Sequence, residues 1–293
     1  MPPDLAEISS RARLLATRLR FCFARRNWRG AAGEYQGRDV GSSLDFQDHR
    51  DYAPGDDPRR INWQAYARTG QYTMKLFREE VRPVIDLALD ASSSMFAFPD
   101  KAVRSLELSY FLAMAAVSSG ASVKIYLLRG GSMRPIDPEA LLAHQWQPLV
   151  EAMPETTPTP QAPALGAIPF RSHSFRVLLS DLLFPGDPAP LLRGLNQHHG
   201  PGAILAPFSP AESAPSWSGN YELIDPELQV SRHRRIDARH LARYREAYGH
   251  HFALWKETAH KAGMPLARID SSLPLADSLQ PEALRFQILE LAP

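Results

Sequence analysis

The 293-residue sequence contains a single cysteine, Cys22. An internal disulfide is therefore excluded, which suits a reducing compartment, and a lone cysteine reads as a small buried hydrophobe. Neither sign of charge dominates: 33 Lys and Arg stand against 32 Asp and Glu. Nothing global argues for nucleic acid or an anionic membrane surface. No apolar run approaches the ~20 residues of a membrane span; the longest candidate, Tyr110 to Val117, is far too short. The opening Met1-Pro-Pro-Asp-Leu-Ala-Glu7 lacks the basic-then-apolar order of a signal peptide. The expectation is a soluble, cytoplasmic protein that does not itself insert into a membrane. Catalytic signatures are missing too. There is no Walker A loop, so the chain is not expected to hydrolyse ATP, and no H-E-x-x-H. Gly130-Gly-Ser-Met-Arg134 fails the nucleophile-elbow pattern at its last position. His198-His199 and His250-His251 lack a matching acidic or cysteine pattern and read as helix-surface residues.

What is present is a foldable alternation. At 44% hydrophobic residues the chain can fill a real core. Residues Asp4 to Arg26 read as a helix, with Leu5, Ile8, Ala12, Leu15 and Leu19 at helical spacing and Arg11, Arg13, Arg18, Arg20, Arg25 and Arg26 on a basic face, read as solvated, with a surface for an acidic partner or nucleic acid as the alternative. Helical periodicity fades over Asn27 to Arg82, where glycines and short aromatic pieces such as Tyr72 to Phe77 suggest an irregular β-containing module. From Val84 onward, buried-type strands alternate with helices. The strands are Val84 to Leu89, Val123 to Leu128, Phe175 to Leu179, Ala203 to Ala206 and Leu266 to Ile269. Helices are expected around Val103 to Val117, over Pro138 to Val150 and Ala189 to His198, along Leu241 to Ala259, and near Pro281 to Leu289. Tyr221 to Ile224 reads as a further short strand or part of a hairpin. This order predicts an α/β fold with a mainly parallel, Rossmann-type sheet and helices on both faces. The expected domains are 1–82, an N-terminal helix with the β-containing module, and 83–293, the α/β domain.

Ligands of open α/β sheets bind outside the carboxyl ends of the strands. Asp90 stands at that end of the first strand, followed by Ala91-Ser92-Ser93-Ser94-Met95. The D-x-S-x-S spacing lets one carboxylate and two hydroxyls converge, a hard-oxygen set suited to Mg²⁺, with Mn²⁺ or Ca²⁺ as alternatives. The third strand ends in Ser180-Asp181; if it lies beside the first, Asp181 approaches Asp90, and two neighbouring carboxylates repel unless a cation intervenes. The remaining coordination position would accept a carboxylate from a protein partner, aided by the N-terminus of the following helix. The alternative is that Asp90 only caps that helix while the serines satisfy backbone donors.

Asp90-Ala-Ser-Ser-Ser-Met resembles the first metal-site motif of von Willebrand A domains. The preceding Tyr52-Ala-Pro-Gly-Asp-Asp-Pro-Arg-Arg-Ile-Asn-Trp63, Ala67-Arg68 and Phe77-Arg-Glu-Glu80 resemble the domain-of-unknown-function 58 family, as do Ser180-Asp181 and Glu222-Leu-Ile-Asp-Pro-Glu227. The likeness runs from about Gly30 to Leu279. It implies a von Willebrand A-like fold and association with a MoxR-type AAA+ ATPase, as a metal-dependent adaptor or chaperone-like protein. Two departures stand out. The family pattern has Asp where Asn62 stands. A further threonine ligand is expected just before Ala164-Leu165-Gly166, where Ala162 and Pro163 occur instead; either Thr159 reaches in or water replaces the hydroxyl.

Asp56, Asp57, Arg59, Arg60 and Trp63 gather charge beside an aromatic after the Pro54-Gly55 turn. Arg and Trp are typical interface anchors, so the segment is a candidate partner-docking loop; the competing reading is an internal salt-bridge network. Binding rather than catalysis is expected. An aspartate-nucleophile phosphatase of the haloacid dehalogenase type needs a second acid two residues after the first, and Ser92 stands there. A metal-dependent phosphohydrolase and a structural scaffold with a degenerate metal site remain the alternatives.

Overall fold

The computed structural model describes residues 4–23, 32–40, 46–81, 83–154, 162–163, 165–197, 200–228 and 230–292, with the backbone alone for 32–40, 46–49, 60 and 75–81. Two compact units emerge. Met1–Cys22 and Ile85–Pro293 form the larger, and Phe23–Val84 the smaller.

The larger unit is built on a six-stranded sheet. Its strands are β1 (Val84–Asp90), β2 (Ser122–Arg129), β3 (Ser132–Ile136), β4 (Phe175–Leu179), β5 (Gly202–Phe208) and β6 (Leu266–Asp270). Their spatial order is β6-β5-β4-β1-β2-β3. The β1–β4, β4–β5 and β5–β6 pairs are parallel, and β3 closes the far edge as an antiparallel hairpin with β2. The sequence expectation of a mainly parallel α/β sheet is met. Four helices flank it: α1 (Leu5–Ala16), α2 (Pro99–Ser118), α3 (Pro188–Leu195) and α4 (Ala238–Lys261). Strand alternation assigns the faces. Ala88, Leu178, Ile204 and Ala206 join Leu191, Leu192 and Leu195 of α3 and Phe252, Trp255 and Ala259 of α4 in one apolar cluster. Ile85, Leu87 and Leu89 turn to the opposite face, left to α2 with α1 packed on it. Each fully buried Leu or Phe here contributes about 1.5–3 kcal/mol. No described helix is long and apolar enough to cross a membrane.

The order of strands decides where a site belongs. From β1 the chain moves to β2 and β3 on one side, then returns to β4 on the other. The carboxyl ends of β1 and β4 therefore flank the topological switch point, the crevice where such sheets take their ligands.

Several local expectations are corrected. α1 ends at Ala16 rather than Arg26, because Leu19–Phe21 leaves it to pair antiparallel with Leu289–Leu291. Arg20 then meets Glu290 at 2.9 Å instead of lying on a helical face. The expected helix over Pro138 to Val150 is two short ones, Pro138–Leu142 and Trp146–Glu151, broken at His144 with φ 62°. The helical turn near the C-terminus is Leu275–Leu279 followed by a π-turn over Gln280–Leu284, and Leu289 belongs to a strand. The expected piece at Tyr221 to Ile224 is a hairpin, Gly219–Ile224 against Ser231–Ile236.

The smaller unit holds a three-stranded antiparallel sheet, with Thr73–Val81 between Ala32–Val40 and Phe46–Asp51. Its helix Trp63–Thr69 is capped at the start by Asn62, whose Oδ1 accepts from Ala65 N at 3.2 Å, and stopped by Gly70 in the left-handed region at φ 69°. An Asp side chain would offer the same acceptor for such a cap. Asn62→Ala is expected to destabilise the protein by about 1 kcal/mol, whereas Asn62→Asp stays within about 0.5 kcal/mol of wild type. Denaturant unfolding of both variants checks this.

Candidate metal centre

The loop after β1 runs through Ser92 into a 3-10 turn, Ser93–Phe96, and α2 proper begins only at Pro99. Asp90 is 7% exposed. Its Oδ1 accepts from Ser92 N at 2.9 Å and its Oδ2 from Ser180 Oγ at 2.6 Å. The Ser92 and Ser94 hydroxyls lie 3.1 Å apart. The structure thus brings together Asp90, Ser92 and Ser94 at the end of β1 with Ser180 and Asp181 at the end of β4. Thr159, with Thr156 and Thr157, lies outside the described residues, as do His198 and His199.

Electrostatics distinguish the buried aspartates. Asp86 is fully buried and bound by Arg171, whose Nε is 2.8 Å from Oδ1 and whose backbone N–H donates to Oδ2 at 2.8 Å. Asp181 takes Lys101 Nζ at 3.0 Å, and the same ammonium reaches Glu212 Oε2 at 2.7 Å. Asp90 alone of the three has no cationic partner among the described residues. Burial, then the charge of Asp181, push its pKa up to about 6, against hydrogen bonds from Ser180 and Ser92 that pull it down. Glu212 is raised by burial, with Lys101 offsetting part of the effect. Burial works against the Lys101 ammonium, yet Asp181 and Glu212 outweigh it and hold its pKa above the ordinary value.

Two features escape sequence reasoning. The first is Leu182, fully buried with φ 61°, a left-handed conformation that costs a non-glycine residue on the order of 1–3 kcal/mol. Ser180 Oγ accepts its N–H at 3.2 Å and His251 Nε2 donates to its carbonyl at 2.8 Å. The second is Glu227, half-buried, whose carboxyl lies near enough to the Ser94 hydroxyl to feel it electrostatically. Burial raises its pKa, Ser94 partly offsets that, and Asp90, Asp181 and Asp225 raise it further. The signal was present in the acidic Glu222-Leu-Ile-Asp-Pro-Glu227 stretch, but only the folded turn shows which of its carboxylates reaches the site. Glu222 is exposed on the hairpin, and Asp225 braces the turn.

The donor set fits a hard divalent ion. It offers one carboxylate without a countercharge among the described residues and two adjacent hydroxyls. No three His, Cys, Asp or Glu side chains able to share an ion cluster together among the described residues, so an ion here relies on serine hydroxyls and water.

Residues 48–257 match the family described as protein of unknown function DUF58. The chain belongs to this family. The matched span of DUF58 takes in Asp56 to Trp63, the D-x-S-x-S loop, Ser180-Asp181 and Glu227. Among curated proteins none matches the sequence. Two solved structures are similar to this DUF58 chain. One is an aerotolerance-related membrane protein from Bacteroides fragilis carrying multiple mutations to serines, 14% identical over 61% of this chain and 99% of its own, with a TM-score of 0.33. The other is the conserved hypothetical protein BatB from Bacteroides thetaiotaomicron, 14% identical over 67% of this chain and 95% of its own, also at 0.33.

In the smaller unit of the DUF58 chain the acidic residues are engaged locally. Asp56 takes Arg50 through two nitrogens at 2.7 and 2.6 Å and accepts from Ala53 N at 2.9 Å. Asp57 caps the 3-10 turn Pro58–Arg60, accepting from Arg59 N at 3.0 Å. Trp63 is 57% exposed and meets Tyr66 and Tyr72 edge-on. Arg59 is exposed, and the Arg60 side chain is outside the described set.

Proposed function

We propose that this chain is a metal-dependent protein-binding adaptor built on a von Willebrand A-type adhesion site, acting by association rather than catalysis. Asp90, Ser92 and Ser94 hold a divalent ion, Mg²⁺ or in its place Mn²⁺ or Ca²⁺, with Asp181 in support and Thr159 as the further hydroxyl. The ion supplies a positive point to which a partner's carboxylate binds. The chain's own residues do the rest. Ser180 and the Ser92 backbone orient Asp90, and Lys101 holds Asp181 in place. The single observation that carries this reading is Asp90 itself, a buried carboxylate at the switch point that, among the described residues, lacks the cation that Asp86 and Asp181 each possess. An unpaired buried charge is costly, and a bound cation removes that cost.

A MoxR-type AAA+ ATPase is the proposed partner, on the strength of the family resemblance. The turn carrying Asp56, Asp57, Arg59, Arg60 and Trp63 is proposed as a second contact surface, where exposed Trp63 and Arg59 have the chemistry of interface anchors. A cytoplasmic location suits such a partner.

Calorimetric titration with Mg²⁺ or Mn²⁺ tests the site. Wild type is expected to bind one ion and Asp90→Ala none; absence of heat and of any thermal shift in wild type sinks the metal reading. Affinity capture from native cells with and without EDTA tests the adhesion mechanism, since a captured set indifferent to EDTA contradicts it.

A further inference from the structure

The hairpin of Gly219–Ile224 and Ser231–Ile236 is exposed at every strand residue except Ile236. A two-stranded hairpin standing alone is marginal in water. This one is tied down at its turn. Asp225 Oδ1 accepts from Glu227 N at 2.9 Å and from Leu228 N at 3.0 Å, and Asp225 N donates to Val230 O at 2.9 Å. The turn lies against the metal-site loop: Pro226 lines a cavity of about 480 Å³ together with Ala91, Ser93, Phe96, Arg129 and Trp146. The Glu227 carboxyl lies near the Ser94 hydroxyl.

We propose that the Asp225–Leu228 turn is a built-in stopper of the site, with Glu227 holding the place at Ser94 that a partner's carboxylate takes. The inference rests on the metal-binding reading above. A carboxylate tethered beside the site acts at an effective concentration that a lone free carboxylate does not match. Weak, single carboxylates are thereby kept out, and only a partner that also displaces the turn gains the position. The exposed hairpin is the lever: along its two strands only Ile236 is buried, and Tyr221 rests against Trp217 near the hairpin's base.

The test uses the full chain loaded with Mn²⁺, whose bound waters are counted by water-proton relaxation, with acetate as the carboxylate probe. Wild type is expected to be insensitive to acetate. Glu227→Ala is expected to bind Mn²⁺ with relaxivity about twofold higher, since Asp90, Ser92, Ser94, Thr159 and Glu227 leave an octahedral ion one water and the variant leaves it two. Acetate then returns it toward the wild-type value. Glu227→Gln, which preserves the shape of the turn, moves the same way if alanine disturbs folding. Equal relaxivity and equal acetate response in all three Mn²⁺-loaded proteins overturns the stopper while leaving the metal site standing. No relaxation enhancement in any of them overturns both.

Discussion

Lys101→Met destabilises the protein by about 3–5 kcal/mol at neutral pH, the range for breaking a buried ion pair from one side. Lys101 is 1% exposed on the first turns of α2, with Asp181 at 2% and Glu212 at 4%. One ammonium serves two carboxylates, at 3.0 and 2.7 Å. Removing it strands both in a poorly solvated pocket. Glu212, whose pKa burial already raises, is then the group that takes up a proton. The loss is therefore smaller at pH 5 than at pH 7.5, a pH dependence that a mere packing defect does not produce. Lys101→Met combined with Glu212→Gln removes one of the two stranded charges and recovers part of the loss. Urea unfolding of the single and double variants at both pH values measures the coupling.

The second large effect concerns Asp90 and runs in the same direction with pH, because it too is a buried carboxylate that protonation relieves. Its folded pKa is raised, from 3.8 to about 6. Between these values the folded state holds a proton that the unfolded state has released. Stability of the metal-free protein therefore falls as pH rises through this window. A shift of this size corresponds to about 3 kcal/mol, reached in full above pH 6. Metal-free protein is expected to melt at a higher temperature at pH 5 than at pH 7 as far as this group governs the curve, and Asp90→Asn flattens the difference. Mg²⁺ acts on the same charge. It is expected to raise the melting temperature strongly at pH 7.5 and little at pH 5, because at low pH the proton already occupies the carboxylate. Thermal unfolding of wild type and Asp90→Asn, with Mg²⁺ or with EDTA, resolves the four cases.

These two predictions also show what the sequence made legible. Asp90 and Asp181 were readable, because each closes a buried strand, and parallel neighbours bring such ends together; the Leu89 to Leu179 register does this. Lys101 and Glu212 were not. In sequence they look like ordinary charged residues of a helix start and a proline-rich loop, and only the packing of both against β4's end buries them. Local pattern failed at α1 for a related reason. The segment Leu19–Phe21 continues a helical spacing, but its partner Leu289–Leu291 lies at the other end of the chain, and periodicity carries no information about a pairing so distant. In the small unit the motif left a docking loop and an internal salt-bridge network both open, and Arg50, the residue that engages Asp56, lay outside the motif.

The most direct measurement is the titration of the Asp90 side-chain carboxyl by carbon NMR, with and without Mg²⁺. The metal-site account predicts a midpoint near pH 6 in the metal-free protein and a fall below the ordinary carboxylate range once Mg²⁺ is added. A midpoint that Mg²⁺ leaves unchanged would contradict it.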